Sequence, residues 1–237
     1  MRNTDVCIVI PNWNGKDSIV ACLESLLSQS LPGHIIVVDN GSRDGSLELI
    51  EKKFPTIEII KKDKNHGFAG GVNFGIRRSL ELEAHFIGLL NNDAVADRHW
   101  VKELVDKLNH SKKVGIVTGK FLDQSGQYFD SAGDTYTSWG LPYPKARGEK
   151  VGTAYNQSQD IFAATGGASM YRAEMFRQIG LFDEDFFAYY EDVDLSFRAQ
   201  LSGWKVAYVP RAIAYHQIGA TSSKIKGFTT YQTMKNL

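Results

Sequence analysis

The 237-residue chain is 43% hydrophobic and 11% aromatic, enough apolar material to close a core, which excludes a disordered chain. Lysine plus arginine and aspartate plus glutamate each number 27, so there is no net field to gather nucleic acid, and the expected partner is a small molecule. Cys7 and Cys22 both sit in apolar surroundings, and two buried thiols fit a reducing cytoplasm better than a disulfide framework.

Val6 to Ile10 reads as a buried strand. With Pro11 after it, this run is too short for a signal-peptide core or a membrane span, and no other stretch approaches the ~20 apolar residues a span needs. Ile19, Cys22, Leu23, Leu26 and Leu27 recur at helical spacing, with Asp17 or Ser18 as the cap and Leu31-Pro32-Gly33 as the stop. Ile35 to Val38 is a second strand, followed by a helix carrying Leu47, Ile50 and Phe54 that halts at Pro55. Ile57 to Ile60 is a third strand, leading through a glycine-rich segment into a helix that runs to about Leu82. Phe86 to Leu90 is a fourth strand, Trp100 to Leu108 one face of a helix, and Val114 to Thr118 a further strand. Strands alternating with helices in this way predict an α/β fold with a mostly parallel sheet.

From Gly119 to Ile161 periodicity weakens and loops with short strands are expected. This change of texture divides residues 1–220 into two halves of one domain, 1–118 and 119–220, with 221–237 as a tail. The tail carries Lys224, Lys226 and Lys235 with scattered aromatics, which leaves open both a peripheral seat on a membrane and a longer parent chain. The oligomeric state is not indicated.

In an open parallel sheet the ligand lies beyond the carboxyl ends of the strands. Asn12 and Asn14 follow the first strand, Asp39 and Asn40 the second, Asn65 the third and Asp93 the fourth, so they should converge on one crevice. Taken singly, each is also an ordinary turn or cap residue. Four strand ends in succession carry such groups, which favours a site. Glycines 67, 70, 71 and 75 permit close approach to a ligand, although they do not form the G-x-G-x-x-G turn of a nicotinamide dinucleotide fold.

Five ordered segments carry a family resemblance: Pro11-Asn12-Trp13-Asn14-Gly15, Val37 to Ser46, Asn65 to Asn73, Leu90-Asn91-Asn92-Asp93 and Phe187 to Leu195. Together they resemble the successive motifs of the family 2 glycosyltransferases of GT-A fold, within which the rhamnosyltransferase branch and its galactofuranosyl relatives are most similar. The resemblance implies that Asp39 hydrogen-bonds a pyrimidine base and that Asn14, the segment around Gly67 and Asn73 line the nucleoside. Pro11, Asn12, Asn65, Asn91 and Asn92 fall within the same donor motifs. Asp93 holds the last position of the family's D-x-D motif and would bind a divalent cation, Mn2+ or Mg2+, bridging the donor's two phosphates. Its first position is Asn91, an amide that brings no charge.

Glu191-Asp192-Val193-Asp194 opens a helix whose apolar residues include Leu195, Phe197 and Leu201, and the helix dipole alone would favour carboxylates there. Crowding by Phe182, Phe186, Phe187, Tyr189 and Tyr190 would raise the pKa of such carboxylates and make them better bases toward a sugar hydroxyl. The resemblance implies Asp192 as that base and Glu191 as the residue that orients the acceptor or Asp192, while Asp194 caps the helix or binds neighbouring backbone. Gly166-Gly167 resembles the segment that holds the acceptor, and a strand-to-helix turn is the other reading. His216 matches a histidine that completes the metal shell in some relatives; imidazole suits manganese.

The expected activity is inverting transfer from a nucleotide sugar, deoxythymidine-diphosphate rhamnose or a uridine-diphosphate sugar, to a hydroxyl of a glycan or lipid-linked acceptor in cell-envelope synthesis. Two rivals stand beside it. A nucleotidyltransferase would carry a glycine-rich basic loop after the first strand, which Pro11 to Gly15 lacks, and a silent nucleotide-sugar-binding module would not need Asp192.

Overall fold

The computed structural model describes residues 3–217 and 227–237; Lys224 and Lys226 of the tail lie outside them. In the first half β1 (Val6–Asn12), α1 (Ile19–Leu27), β2 (His34–Asn40), α2 (Ser46–Lys53), β3 (Glu58–Lys62), α3 (Gly67–Glu81) and β4 (Phe86–Leu90) follow in strict alternation. They are succeeded by β5 (Ala94–Ala96), α4 (Trp100–His110) and β6 (Val114–Asp123). The second half supplies the short strands β7 (Phe129–Ser131), β8 (Asp134–Tyr136), β9 (Pro142–Pro144) and β10 (Gln159–Asp160). It continues with β11 (Ala168–Arg172), α5 (Ala173–Ile179), α6 (Glu191–Leu201), β12 (Lys205–His216) and α7 (Phe228–Asn236).

One sheet takes in both halves, in the order β10-β12-β6-β11-β4-β1-β2-β3, with β5 on β12 and β7 on β6. β3, β2, β1 and β4 are mutually parallel, and β12 is parallel to β6. β11 runs antiparallel between β4 and β6, which joins the two parallel blocks. The sheet is buried on both faces, and β1 shows why its run reads as uninterrupted apolar sequence. Val6, Ile8 and Ile10 join the core under α1, α2 and α4, while Cys7 and Val9 join the core under α3, α5 and α6. The period-two alternation of a strand delivers one set to each face.

Several elements differ from the sequence-based expectation. β1 runs through Pro11, which would break a ladder in mid-sheet; here β4 pairs only with Val6 to Val9, so β1 keeps a single partner, β2, where the N–H is missing. β6 continues five residues past Thr118, to Asp123, because β12 and β7 pair with the extension. Ser18 stands at the N-cap of α1, but its hydroxyl donates to Gly15 O instead of capping a helix N–H. Phe197 and Leu201 of α6 are 44% and 76% exposed; Val193, Leu195 and Ala199 form its buried stripe. Cys7 and Cys22 are buried free thiols, the first pushed up to about 11 by burial and the second raised by burial and by the nearby Asp93 charge.

Candidate active site

The polar residues at the ends of β1, β2 and β4 assemble around Asn12. Asn12 is fully buried, and its amide N–H group donates to Asp39 Oδ1 (3.1 Å), Ser42 Oγ (3.2 Å) and Ser46 Oγ (3.0 Å), while its Oδ1 accepts from Asn92 Nδ2 (2.9 Å). Asn12 and Asn92, expected at the donor, therefore form the brace beneath Asp39. The second Asp39 oxygen accepts Ser42 N–H at 3.2 Å. Asn14 adopts a left-handed conformation (φ 53°) and its Oδ1 accepts Arg43 N–H at 2.8 Å. Asn65 Oδ1 accepts from Gly67 N–H (2.8 Å) and from Asn40 Nδ2 (3.0 Å).

Asn14 and Asn65 line a cleft of about 300 Å³ together with Trp13, Gly41, Arg43, Asp63 and Lys64. Gly41 is required there: at φ 76° a Cβ would meet the Lys64 backbone at 2.8 Å. Arg43 and Lys64 were not singled out from the sequence, although Arg43 lies within one quoted motif and Lys64 adjoins another, and they give this cleft two cations suited to phosphate or base oxygens. Asn73 does not face it. Its amide donates to Phe182 O (2.8 Å) and Glu184 Oε1 (2.9 Å) and its Oδ1 accepts Phe182 N–H (3.1 Å), so the expected nucleoside contact is replaced by a tie to the 182–184 segment.

Asp93 and His216 meet where β5 pairs with the end of β12, His216 standing opposite Ala94. Asp93 Oδ1 is buried and accepts no hydrogen bond, and His216 Nε2 lies 3.2 Å from it without hydrogen-bond alignment. Two ligands each ~2.1 Å from one cation at right angles would stand about 3 Å apart, so this pair fits a divalent ion. Behind it His216 Nδ1 contacts Asp130 Oδ2 at 2.7 Å, and Arg147 Nη2 donates to Asp130 Oδ1 at 2.7 Å. With Nδ1 held toward Asp130, Nε2 is the nitrogen left for a cation, which would take the place of its proton; a second hydrogen bond at Nδ1 is the usual support of a metal-bound imidazole. Burial disfavours the charged ring, yet the hydrogen bond to Asp130 and the proximity of Asp93 outweigh it, and the imidazole pKa rises to about 9. Among the described residues no three such side chains converge; oxygens of a bound diphosphate would have to complete the shell.

The carboxylates that open α6 are linked to the Asn91–Asp93 loop through Gly166 and Gly167. Asp192 Oδ2 accepts Gly166 N–H (2.7 Å) and Oδ1 accepts its neighbour's N–H, that of Val193 (2.9 Å). Gly167 O in turn accepts Asn91 N–H at 2.9 Å, so the loop holding Asp192 is stitched to the loop holding Asp93. Burial raises the Asp192 pKa against those backbone hydrogen bonds. Glu191 is buried with Oε2 unpartnered, and burial followed by the Asp192 charge raises it well above the carboxylate range. Asp194 does not cap α6; it pairs with Arg198 at 2.7 Å. A third carboxyl, Asp134, enters from β8, whose backbone exchanges hydrogen bonds with Ala163. Burial and then the Asp192 charge push it up to about 8. Asp134 and Asp130 lie in the aperiodic stretch Phe129-Asp130-Ser131-Ala132-Gly133-Asp134, where only the density of acids around a glycine could have signalled them.

The family model for glycosyl transferase family 2 matches residues 7–180. The chain belongs to glycosyltransferase family 2. The match ends at residue 180, before Glu191, Asp192 and His216. The low-salt glycan biosynthesis hexosyltransferase Agl10 of Haloferax volcanii is 30% identical over 83% of this chain and 62% of its own. The N-acetylglucosaminyl-diphospho-decaprenol L-rhamnosyltransferase of Mycobacterium tuberculosis is 26% identical over 90% of this chain and 76% of its own. The chain thus spans about three fifths to three quarters of the length of these relatives, and its place near the rhamnosyltransferase-like branch agrees with the motif resemblance. The mannosyltransferase PcManGT of Pyrobaculum calidifontis, solved with GDP-Man and Mn2+, superposes with a TM-score of 0.67 at 15% identity, covering 96% of this chain and 59% of its own. The family 2 enzyme therefore has the GT-A fold.

Proposed function

We propose that the protein is an inverting, metal-dependent glycosyltransferase that moves a sugar from a nucleoside-diphosphate donor onto a hydroxyl of a glycan or lipid-linked acceptor in cell-envelope synthesis. The observation that carries this reading is the stitch between the two loops: Gly166 N–H on Asp192 and Gly167 O on Asn91, which brings a base and a diphosphate-binding strand end to one edge of the sheet.

In this reading the nucleoside lies in the cleft of Trp13, Asn14, Arg43 and Asn65, with Asp39 directed at the base by Asn12. Asp93 and His216 would hold a Mn2+ or Mg2+ ion, which would supply positive charge to offset that growing on the leaving diphosphate. Asp192 takes the proton from the acceptor hydroxyl, and the freed oxygen lone pair attacks the anomeric carbon. The bond from that carbon to the diphosphate oxygen breaks on the opposite face, so configuration inverts. Burial keeps Asp192 basic enough to act, and its charge in turn raises the pKa values of Glu191 and Asp134. Positioning and fixed charge supply most of the rate.

The donor favoured is deoxythymidine-diphosphate rhamnose, with a uridine-diphosphate sugar next, supported by the name of the mycobacterial relative; that name also points to a lipid-linked acceptor. A seat at the inner membrane face is supported by α7, whose Tyr231 and Met234, with Leu237 just past its end, are 68%, 70% and 61% exposed. Among the described residues no helix is long and apolar enough to cross a membrane. Residues 1–118 supply the donor side and 119–220 the acceptor side. The test is a thermal-shift screen of nucleotide sugars with and without manganese, followed by nuclear magnetic resonance of the product's anomeric centre. Retained configuration, or no stabilisation by any nucleotide sugar, would refute the proposal.

A further inference from the structure

The loop that leads into α6 is held in a shape its residues resist. Phe187 has φ 62° and ψ −59°, and Ala188 N–H donates to Phe186 O at 2.7 Å, closing the strained form of the three-residue γ-turn. Tyr189 (φ 69°) and Tyr190 (φ 72°) follow in the left-handed region that bulky side chains avoid. Tyr190 is the N-cap of α6, so the next two residues are Glu191 and Asp192.

What opposes relaxation is α7. The Asn236 Nδ2 lies within hydrogen-bond distance of three loop carbonyls, Phe186 O (2.9 Å), Ala188 O (2.9 Å) and Tyr189 O (2.8 Å), which share its two N–H donors. Lys235 Nζ donates to Asp185 O at 2.6 Å, and Thr229 Oγ1 meets the Tyr189 hydroxyl at 3.0 Å. The Phe228 ring packs against Phe187 and Tyr189, with centroids 6.1 and 6.3 Å apart. On its other side the loop rests on the donor segment. Phe187 O accepts Ala69 N–H at 3.2 Å, and Gly67 lies so close that a Cβ would collide with the Phe187 carbonyl and ring. The one buried residue of α7 is polar, Gln232, and its Oε1 has no partner. The helix therefore adds little to the core, while its polar contacts concentrate on the loop.

We infer that α7 is a clamp on residues 186–190 and that Asn236 is a positioning residue, holding three carbonyls so that the loop delivers Asp192 to the donor crevice. The inference rests on the reading of Asp192 as the base. Freed of Asn236, those carbonyls would turn to water, the left-handed residues would relax, and the start of α6 would lose its fixed relation to Gly166 and to the donor segment.

The test uses Asn236→Ala, Asn236→Asp and Asn236→Gln in the full chain. Alanine removes the donors, aspartate sets a carboxylate against three carbonyls, and glutamine restores an amide on a longer stem. Expected for Asn236→Ala is a kcat roughly tenfold lower or worse, with donor affinity by calorimetry unchanged within about twofold. Asn236→Asp should be lower still and Asn236→Gln partly recovered. Amide hydrogen exchange of the 185–192 peptide should speed up roughly tenfold or more in the first two variants, with β1 and β2 exchanging as in the parent. Parent-like exchange in Asn236→Ala, or faster exchange with kcat unchanged, would overturn the clamp; so would faster exchange spread through β1 and β2, which marks general destabilisation. The exchange arm needs no turnover, so a parent that transfers no sugar would count against the proposed reaction while the clamp itself was still decided.

Discussion

Asp192 Oδ2 accepts the N–H of Gly166 at 2.7 Å, a bond that fixes the carboxylate's direction but lowers its basicity, while burial raises it. The net rise keeps Asp192 a stronger base than a surface aspartate. Asp192→Asn preserves shape and removes basicity, so turnover should fall by roughly 10²–10⁴-fold with donor affinity unchanged. In the parent, kcat/KM should fall as pH drops through the raised pKa of Asp192, since the protonated form cannot accept the acceptor's proton. A variant with parent turnover when chemistry is rate-limiting would return the base to Glu191 or Asp134. Asp183 is less suited, because it caps the short turn at Glu184–Phe186 by accepting Asp185 N–H.

Asp93→Ala should remove the manganese dependence of donor binding and abolish transfer while the melting temperature stays near the parent's, because Asp93 Oδ1 contributes no hydrogen bond to the fold. Asp130→Asn weakens the support behind His216 and should lower manganese affinity by about 10–100-fold. Calorimetric titration of manganese in the presence of nucleoside diphosphate checks both. Equal affinity in Asp130→Asn would show that His216 is not a ligand.

Asp39→Ala should weaken binding of a free pyrimidine nucleoside diphosphate by on the order of 1–3 kcal/mol, equally for the sugar donor. Asn12→Ala should approach the same loss indirectly, since Asn12 holds Asp39, Ser42 and Ser46 at once, and it should also lower stability. Asp39→Ala with parent affinity would make Asp39 a turn residue.

Asp134 makes a stability prediction. Its pKa is raised to about 8 by burial and by Asp192, so the folded state holds this proton more tightly than the unfolded chain does. The contribution is present in full below the ordinary aspartate value near 4 and is lost as pH rises toward about 8. Asp134→Asn carries no such proton. Relative to the parent it should therefore gain stability between pH 4 and pH 8, by at least about 1 kcal/mol, measured by urea unfolding at the two pH values. A constant difference across that range would mean that Asp134 titrates normally.

The parallel half of the sheet was legible because β1, β2 and β4 are buried on both faces and so appear as unbroken apolar runs. Their ends were not, since β1 and β2 carry pairing on into Asn12, Asp39 and Asn40, residues whose composition reads as turn. The strand count of the second half was hidden for the opposite reason: β7 to β10 have two or three residues each, too few for any period to show. The GT-A fold and the family followed from motifs whose spacing survives at low identity.

Within the site, residues at strand ends were readable because topology alone sends them to one edge. The supports behind them were not. Asp130 and His216 are 86 positions apart, and nothing local in either segment announces the other. Asn73 misled because it sits within a donor motif while its side chain turns toward Phe182, and Asn236 was invisible because its partners are carbonyls, which every residue has.

The two thiols carry a practical consequence. Cys7 and Cys22 are buried and their pKa values raised, so at neutral pH neither offers the thiolate that maleimides and methanethiosulfonates attack. To such reagents the native chain is blank. A single cysteine introduced at Trp139, which is 81% exposed, would take a fluorophore or spin label alone, with no background to engineer away, and could report distances across the acceptor half as donor and metal are added.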